Sequence, residues 1–276
     1  MKPQVFLLVA AVVLAGCVGQ PGGTVGGGTA GVIITSFSPE VPEVYEQSTV
    51  LFTTIVKNLG DIPVATGEAR VEILGLDDWA PIDPSRKPIA KLIGDRLIGA
   101  DPTRNLEGGE AVLDFKLRAP QKTNTITYTP VARLTYPYST KSTIQLKFAT
   151  KELVRINPNE QSTATITTSS GPLAIAIKGR LPIVEPRPVT FQLEIQNVGG
   201  GKVVSGEIDN VDIVTDVCTP TGAQRLVGGK SRILTCTVTV PADAPVGGFA
   251  TKTFDVHLSY TYIIDKQTSV TVLKPT

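Results

Sequence analysis

The residues that most often carry enzyme chemistry are scarce in this chain. His257 is the single histidine among 276 residues, so a serine or cysteine nucleophile that needs an imidazole base would have to use it. It lies in Phe254–Leu258, an alternating run of apolar and polar residues that is typical of a strand. We therefore interpret His257 as a structural strand residue.

Carboxylates are the remaining catalytic candidates, because glycoside hydrolysis needs only two acids. Two acidic clusters occur, and each is most simply interpreted as turn and solvent-facing residues or a weak calcium site. They are Asp77, Asp78 and Asp83 in the first half of the chain, and Asp209, Asp212 and Asp216 in the second. Neither cluster has EF-hand spacing. We predict a non-enzymatic protein without cofactor or metal, and keep a carboxylate-dependent hydrolase as the third alternative.

The charge balance argues against nucleic-acid binding. The chain has 26 basic and 25 acidic residues, a formal net charge of +1, and so lacks the positive footprint that phosphate backbones require. Hydrophobic residues make up 41% and charged residues 18%, which predicts a folded body rather than a disordered chain or a multispan membrane protein.

The first segment, residues 1–16, has the layout of a secretory signal peptide. A positive start precedes the apolar run Val5–Leu14, which at roughly ten residues is too short to cross a bilayer. Leu14-Ala15-Gly16-Cys17 resembles a lipobox, and the resemblance implies cleavage before Cys17 and a lipid anchor on that residue. The alternative is ordinary secretory cleavage, which would leave Cys17 an incidental thiol or remove it.

A glycine-rich linker follows the predicted anchor. Residues 17–31 are too poor in side chains to form a core, and such a chain behaves as a flexible coil spanning on the order of 20 Å. We therefore expect a folded body tethered to the extracellular face of the cytoplasmic membrane, at the cell surface.

From Val32 onward the sequence predicts strands. Short period-2 runs such as Thr49–Val56 and Ala111–Leu117 alternate with turn residues. The best helical candidate is Ile89–Ile98, which we expect to form one or two turns after Pro88.

An internal repeat indicates two tandem domains, because three phrases recur in the same order. The matched pairs are Val50–Gly60 with Val189–Gly199, Leu106–Glu110 with Leu226–Lys230, and Val131–Tyr138 with Phe254–Tyr262. We predict domains at 32–156 and 170–276, joined by a Ser/Thr-rich connector at 157–169. The connector is either O-glycosylated or, through Thr163–Thr168, an added strand.

The fold class predicted is all-β, with two tandem immunoglobulin-like β-sandwich domains. Each repeat has about a hundred residues and some seven short strands, and a β-barrel is the competing architecture. The phrase pattern resembles the CARDB-type immunoglobulin-like modules of archaeal and bacterial cell surfaces, and surface-layer-like repeat proteins of archaea. This resemblance implies a place in the cell envelope and supplies no catalytic residues.

Two cysteines predict a disulfide in the second domain. Cys218 and Cys236 would lie in an oxidising compartment if the signal peptide is real. The bridge would close a loop of about 18 residues and stabilise the fold by roughly 3 kcal/mol. Two free buried thiols or an intermolecular bridge are the alternatives.

The first domain also contains an insertion between Asn58 and Gly108. One interpretation makes it an interaction loop, since long loops on sandwiches often bind partners. Its candidate residues are Trp79, Asp83 and Arg86. In the other interpretation, which we favour, Trp79 caps the core and Ile89–Ile98 covers a sheet edge.

Together these features predict a structural or adhesion protein that assembles with envelope proteins or with itself. Surface glycans are a further class of partner, and nucleic acid is excluded. The alternative function is an accessory, or solute- or glycan-binding, lipoprotein of a membrane complex.

Overall fold

The computed structural model describes residues 31–83, 89–183, 188–213, 218–239 and 247–274. These residues form strands almost throughout, which confirms the all-β prediction. The predicted signal peptide, Cys17 and nearly all of the linker lie outside the described residues, as does Arg86. No helix in the described ranges is long and apolar enough to cross a membrane.

Within the described residues, the first repeat contributes nine strands and the second nine more, with one short α-helix and one strand between them. The first set is β1 (Val32–Pro39), β2 (Glu43–Tyr45), β3 (Thr49–Asn58), β4 (Arg70–Leu74), β5 (Ala80–Pro81), β6 (Ala90–Leu92), β7 (Glu110–Arg118), β8 (Ile126–Tyr128) and β9 (Val131–Ala149). Helix α1 (Lys151–Ile156) and β10 (Thr163–Thr168) follow. The second set is β11 (Leu173–Lys178), β12 (Pro188–Asn197), β13 (Lys202–Val203), β14 (Glu207–Ile213), β15 (Cys218–Thr219), β16 (Gly222–Arg225), β17 (Ser231–Thr239), β18 (Phe249–Gln267) and β19 (Val270–Leu273).

The predicted helical turn at Ile89–Ile98 is wrong. This segment contains β6 instead, which pairs with β4 through Leu92 opposite Arg70. Gly94 weakens a helix here, whereas pairing with β4 satisfies the backbone groups of the segment.

Each repeat forms one four-stranded sheet of its own. The orders are β1-β3-β7-β5 and β11-β12-β17-β15, which correspond to the A-B-E-D sheet of an immunoglobulin sandwich. We call the sandwich built on the first sheet unit 1 and that built on the second unit 2. The alternation of buried and exposed side chains agrees with the period-2 pattern of the sequence. In β3, Val50, Phe52, Thr54 and Val56 are buried, and the residues between them are more exposed.

The second sheet is shared by both units. Its order is β16-β14-β18-β9-β4-β6, and β9 and β18 pair antiparallel along their whole length, from Val131 opposite Gln267 to Ala149 opposite Phe249. In an immunoglobulin sandwich the F strand pairs with the G strand of the same domain. Here β18 of the second repeat occupies the G-strand position beside β9 of the first repeat, and β9 occupies the G-strand position beside β18.

Each long strand therefore completes the core of the other repeat. Phe148, near the end of β9, packs with its ring centroid 6.5 Å from that of Phe191 on β12. In the opposite direction, β19 lies between β2 and β8 of unit 1, where Val270 and Val272 are buried. Strand β10 adds to β9, which confirms the added-strand interpretation of Thr163–Thr168.

Four buried tyrosines mark the middle of the shared sheet. Tyr136 lies opposite Tyr262, and Tyr138 lies opposite Tyr260, with ring centroids 6.0 Å and 6.2 Å apart. The Tyr138 hydroxyl accepts a hydrogen bond from the Ile62 N–H and donates one to the Ser170 carbonyl. These bonds let the Tyr138 phenol lie inside the protein with its hydroxyl paired.

The repeated Asn-x-Gly phrase packs against these tyrosines. The buried Asn58 side chain donates to the carbonyls of Ile62 and Leu97, and Asn197 donates to those of Gly201 and Gly229. The asparagine of each phrase therefore connects its own turn to a second loop, through hydrogen bonds to that loop's backbone carbonyls. The sequence predicts only the turn.

The glycine of the phrase is required by a close approach. A Cβ atom on Gly60 would overlap the Tyr138 hydroxyl, and one on Gly199 would overlap the Tyr262 hydroxyl. Any larger residue would push the turn away from the tyrosine beneath it.

Separating the repeats tests the strand exchange. A fragment of residues 157–276 lacks β9, so we expect it to show no cooperative thermal transition by circular dichroism, because β18 loses its full-length partner. Mixing it with residues 31–156 should restore the transition and a one-to-one complex on size-exclusion chromatography. A cooperative transition in the isolated fragment would contradict the exchange.

Alkaline pH tests the tyrosine cluster. Burial raises the pKa of Tyr136, Tyr138 and Tyr260 in the folded protein. Their contribution to stability is therefore fully present below the unfolded pKa of about 10 and is lost as pH rises above it. We expect tyrosinate absorbance from the cluster to appear together with loss of the β-sheet circular dichroism signal.

The control for this titration is Tyr45→Phe, which removes an exposed tyrosine. In this variant the rise in tyrosinate absorbance from the cluster should still coincide with the loss of the β-sheet circular dichroism signal. Ionisation of all four cluster tyrosines while the sheet signal persists would show that the cluster is open to solvent.

Candidate functional site

Trp79, the first candidate of the inserted loop, lies in the core of unit 1. Its ring is fully buried and meets Phe52 and Tyr128 edge-on, with both centroid distances 5.7 Å. The ring has no surface left for a partner, and this is the position that the core-cap interpretation describes.

Beside Trp79, a polar cluster closes the end of unit 1. The Tyr128 hydroxyl donates to Asp78 Oδ2 at 2.7 Å, and Lys122 Nζ lies 2.6 Å from the same oxygen. Partial burial acts to raise the pKa of Asp78, but the hydrogen bonds from Lys122 and Tyr128 outweigh it and lower that pKa. The carboxylate therefore stays ionised and ties the inserted loop to β8.

The described part of the insertion also contributes to a groove on one side of unit 1. Within the described residues, strand β5 pairs with β7 at Ala80 and Pro81, the Ile82 N–H donates to the Lys116 carbonyl, and β6 lies on the opposite sheet. Between β6 and β7 lies a groove of about 320 Å³. Its apolar lining comprises Pro81, Ile82, Ile89, Phe115 and Leu117, and Asp83 lies exposed at its rim.

Lys91 crosses this groove from β6 to β7. Its ammonium donates to the backbone carbonyl of Asp114 and lies 5.4 Å from the centroid of the Phe115 ring. Beyond Lys91 the groove continues as a more polar space of about 410 Å³, along Leu92 on one side and Glu110 to Asp114 on the other. We call the whole feature the β6–β7 groove.

The corresponding side of unit 2 is closed by a disulfide. Cys218 on β15 and Cys236 on β17 lie opposite each other in the sheet, and their sulfur atoms are 2.05 Å apart. The predicted intradomain bridge is thus confirmed, and it indicates an oxidising environment.

The remaining polar candidates lie apart from this groove. His257 on β18 stands in the shared sheet between Asp212 on β14 and Lys141 on β9. Asp77 and Asp209 are exposed, and Asp216 lies outside the described residues. Among the residues that the structure describes, no group of three or more His, Cys, Asp or Glu side chains could hold a metal ion.

Sequence reasoning missed the groove, although it marked the insertion that forms it. Lys91 belongs to a segment expected to be helical, and the Asp114 carbonyl that it binds carries no sequence signal. Only the pairing of β6 with β4 brings the two residues together across the sandwich.

Comparison with known proteins adds little to this description. No protein family model matches the sequence, and no curated protein is similar to it. Among solved structures, the collagen adhesin of S. aureus aligns over 87% of this chain and 92% of its own, with 10% identity and a TM-score of 0.13. A TM-score this low carries no argument about fold or function.

Removing the disulfide tests its contribution to unit 2. The bridge joins residues 18 apart, so the double variant Cys218→Ala, Cys236→Ala should lose about 3 kcal/mol of unfolding free energy. Urea denaturation measures this, and a reducing agent should produce a similar loss in the unmodified chain. Cys17→Ser is the matched control and should not change the midpoint. An unchanged midpoint in the double variant would contradict the expectation.

Proposed function

We propose that this chain is a non-enzymatic, membrane-anchored extracellular protein of the cell envelope, with a structural or adhesive role exerted through protein–protein assembly. The observation that carries the proposal is the pairing of β9 with β18 along their whole length.

The strand exchange suits a mechanical role. A tandem linked only by a flexible connector would let its domains move independently. Here β9, β18 and β10 join the units through a continuous hydrogen-bonded sheet. Surfaces on both units are therefore held at a fixed separation, which favours assembly with partners of defined spacing.

The disulfide supports an extracellular location. Such bridges persist where the environment is oxidising and are rare in cytosolic proteins. The bridge agrees with the signal peptide predicted for residues 1–16, and the two observations are independent because one is structural and the other is a sequence pattern.

The start of the folded body supports anchoring near its centre. The Gly31 carbonyl accepts a hydrogen bond from the Leu59 N–H, and Gly31 packs beside Pro172 and the Tyr136 hydroxyl. Gly31 thus lies where the two units meet. A lipid on Cys17 would hold the body at this meeting point and leave the outer ends of both units accessible to partners.

The second candidate is an accessory or solute- or glycan-binding lipoprotein of a membrane complex. The β6–β7 groove favours it, because ligand sites combine an apolar lining with a few polar groups. Phe115 and Lys91 provide that combination here.

Chemical cross-linking with mass spectrometry, on intact envelopes of the native host, tests both candidates. We expect links to other envelope proteins or between copies, and an N-terminal peptide that begins at Cys17 and carries lipid. In Cys17→Ser the protein should leave the membrane fraction.

The outcomes separate the candidates. Links confined to one membrane complex would favour the accessory lipoprotein. Full-length protein in the cytoplasm, with Met1 intact, would overturn the anchored and extracellular parts of the proposal.

A further inference from the structure

The described body begins at Gly31, between two turns that come from different units. The Gly31 carbonyl accepts a hydrogen bond from the Leu59 N–H of unit 1, and a Cβ atom on Gly31 would lie 2.9 Å from Pro172 Cδ. The Pro172 carbonyl in turn accepts hydrogen bonds from the N–H groups of Val198 and Gly199 in unit 2. Gly31 is therefore held between the two Asn-x-Gly turns.

Both turns expose an apolar side chain at their middle position. Leu59 and Val198 occupy this position and are both exposed. The glycine that follows each of them lies against a tyrosine hydroxyl of the shared sheet, so the residue before it lies on the solvent side. A single exposed aliphatic residue is common on protein surfaces, whereas a group of them around one point marks an interaction surface.

Hydrogen bonds connect three further exposed apolar residues to these turns. The Asn58 N–H donates to the Gly109 carbonyl, and the Gly109 N–H donates to the Ile98 carbonyl. In unit 2 the Asn197 side chain donates to the Gly229 carbonyl. Leu106 and Val227 lie on the loops that contain these two glycines. We call the five residues, which are 41% to 71% exposed, the central apolar surface: Leu59, Ile98, Leu106, Val198 and Val227.

We infer that the central apolar surface contacts the lipid bilayer to which the chain is anchored. This inference rests on the proposed anchor at Cys17 and adds a second membrane contact to it. Gly31 follows Cys17 by only fourteen positions, and a chain of that length spans at most about 50 Å when fully extended. The anchor thus holds the surface around Gly31 nearer to the bilayer than either outer end of the body.

The chemistry of this surface fits lipid. Aliphatic side chains that enter the boundary between headgroups and acyl chains leave water and gain hydrophobic free energy in proportion to the area buried. Two ion pairs lie in the neighbouring loops, with Lys57 Nζ 2.6 Å from Glu107 Oε2 and Arg104 Nε 3.4 Å from Asp101 Oδ2. Because these charges are paired within the protein, we expect the contact to depend on apolar area and not on the charge of the lipid.

A contact at this point would orient the whole body on the membrane. A covalent lipid holds a protein to a bilayer more firmly when a second membrane contact is added. Strands β9 and β18 have 19 residues each, a length of about 60 Å, and the central apolar surface lies near their midpoint. With the middle on the bilayer, the outer ends of both units remain accessible to protein partners.

Methyl NMR on a lipid nanodisc tests the contact with the chain of residues 17–276, which retains every described residue. Cys218 and Cys236 are bridged, so Cys17 is the one remaining cysteine of the three. Coupling it to a maleimide-modified lipid in a phosphatidylcholine nanodisc reproduces the tether. A nitroxide on the lipid headgroups then broadens the methyl signals that lie close to the bilayer.

The pattern of broadening distinguishes a docked body from a free one. We expect the methyl signals of Leu59 and Val198 to be lost on the nanodisc. Those of Val41 and Ile156 should remain, because Val41 follows the outer end of β1 and Ile156 ends the helix beyond the outer end of β9. Both of these reference residues are exposed, at 45% and 66%, so exposure alone does not produce the difference.

Two paired variants separate the apolar surface from general effects on the chain. Leu59→Ser with Val198→Ser removes one exposed apolar side chain from each unit. The docking equilibrium constant, obtained from relaxation of the Val227 methyl signals, should fall about tenfold, because two half-exposed side chains lose part of their transfer free energy. Val41→Ser with Ile156→Ser is the matched control and should leave it unchanged. Thermal unfolding midpoints should be kept in both variants.

Three results would overturn the inference. Equal broadening at the centre and at the outer ends would mean that the tethered body moves freely above the bilayer. Broadening that requires anionic lipid would mean that charge, and not apolar area, makes the contact. Dimers that form in solution without lipid, and that Leu59→Ser with Val198→Ser abolishes, would identify a second copy of the chain as the occupant.

These outcomes are independent of the test of the proposed function. Maleimide coupling supplies the tether chemically, so the NMR result does not depend on whether the cell attaches a lipid to Cys17. Failure of the proposed anchor would appear as an N-terminal peptide without lipid in the cross-linking experiment. Failure of the membrane contact alone would leave that lipid and the envelope location intact.

Discussion

The antiparallel pairing of β9 with β18 is the interaction on which the rest of this structure depends. Every second side chain of β9, from Ala132 to Phe148, is buried, so a single strand supplies core residues to both sandwiches. Neither repeat contains all the strands that its own core requires. Cooperative folding of the two repeats as one body follows from this exchange, and so does the fixed distance between their outer surfaces.

Buried polar groups make this pairing specific. The hydroxyl of Tyr262 donates to Asn197 Oδ1 and accepts from the Gly201 N–H, so its position is set by the loop above it. A shift of the two long strands by one residue would turn their side chains to the opposite face and break these bonds. Apolar residues alone would tolerate more alternatives, because their contacts have no required direction.

The two repeats share a frame and differ at one edge. In unit 2 the short strand β15 and a disulfide lie along the edge of β17, whereas in unit 1 the described part of the insertion contributes β6 and the β6–β7 groove. Each edge contributes buried residues to its own unit, Trp79 in unit 1 and the Cys218–Cys236 bridge in unit 2, so the two repeats keep the same frame with different edges.

The sequence by itself predicted the repeat, most of the strands and the favoured disulfide pairing, because alternation, turn residues and cysteine chemistry are local properties, but it placed a helical turn where β6 lies. It marked Asn58, Gly60 and Tyr138 as repeated but gave no reason for them, since their roles depend on contacts between distant segments. Only the tertiary structure decided the exchange of the long strands. A strand that is buried on one face has the same alternating sequence pattern whichever repeat it pairs with. The groove is hidden from the sequence for the same reason: Lys91 and the Asp114 carbonyl meet only after two sheets have packed.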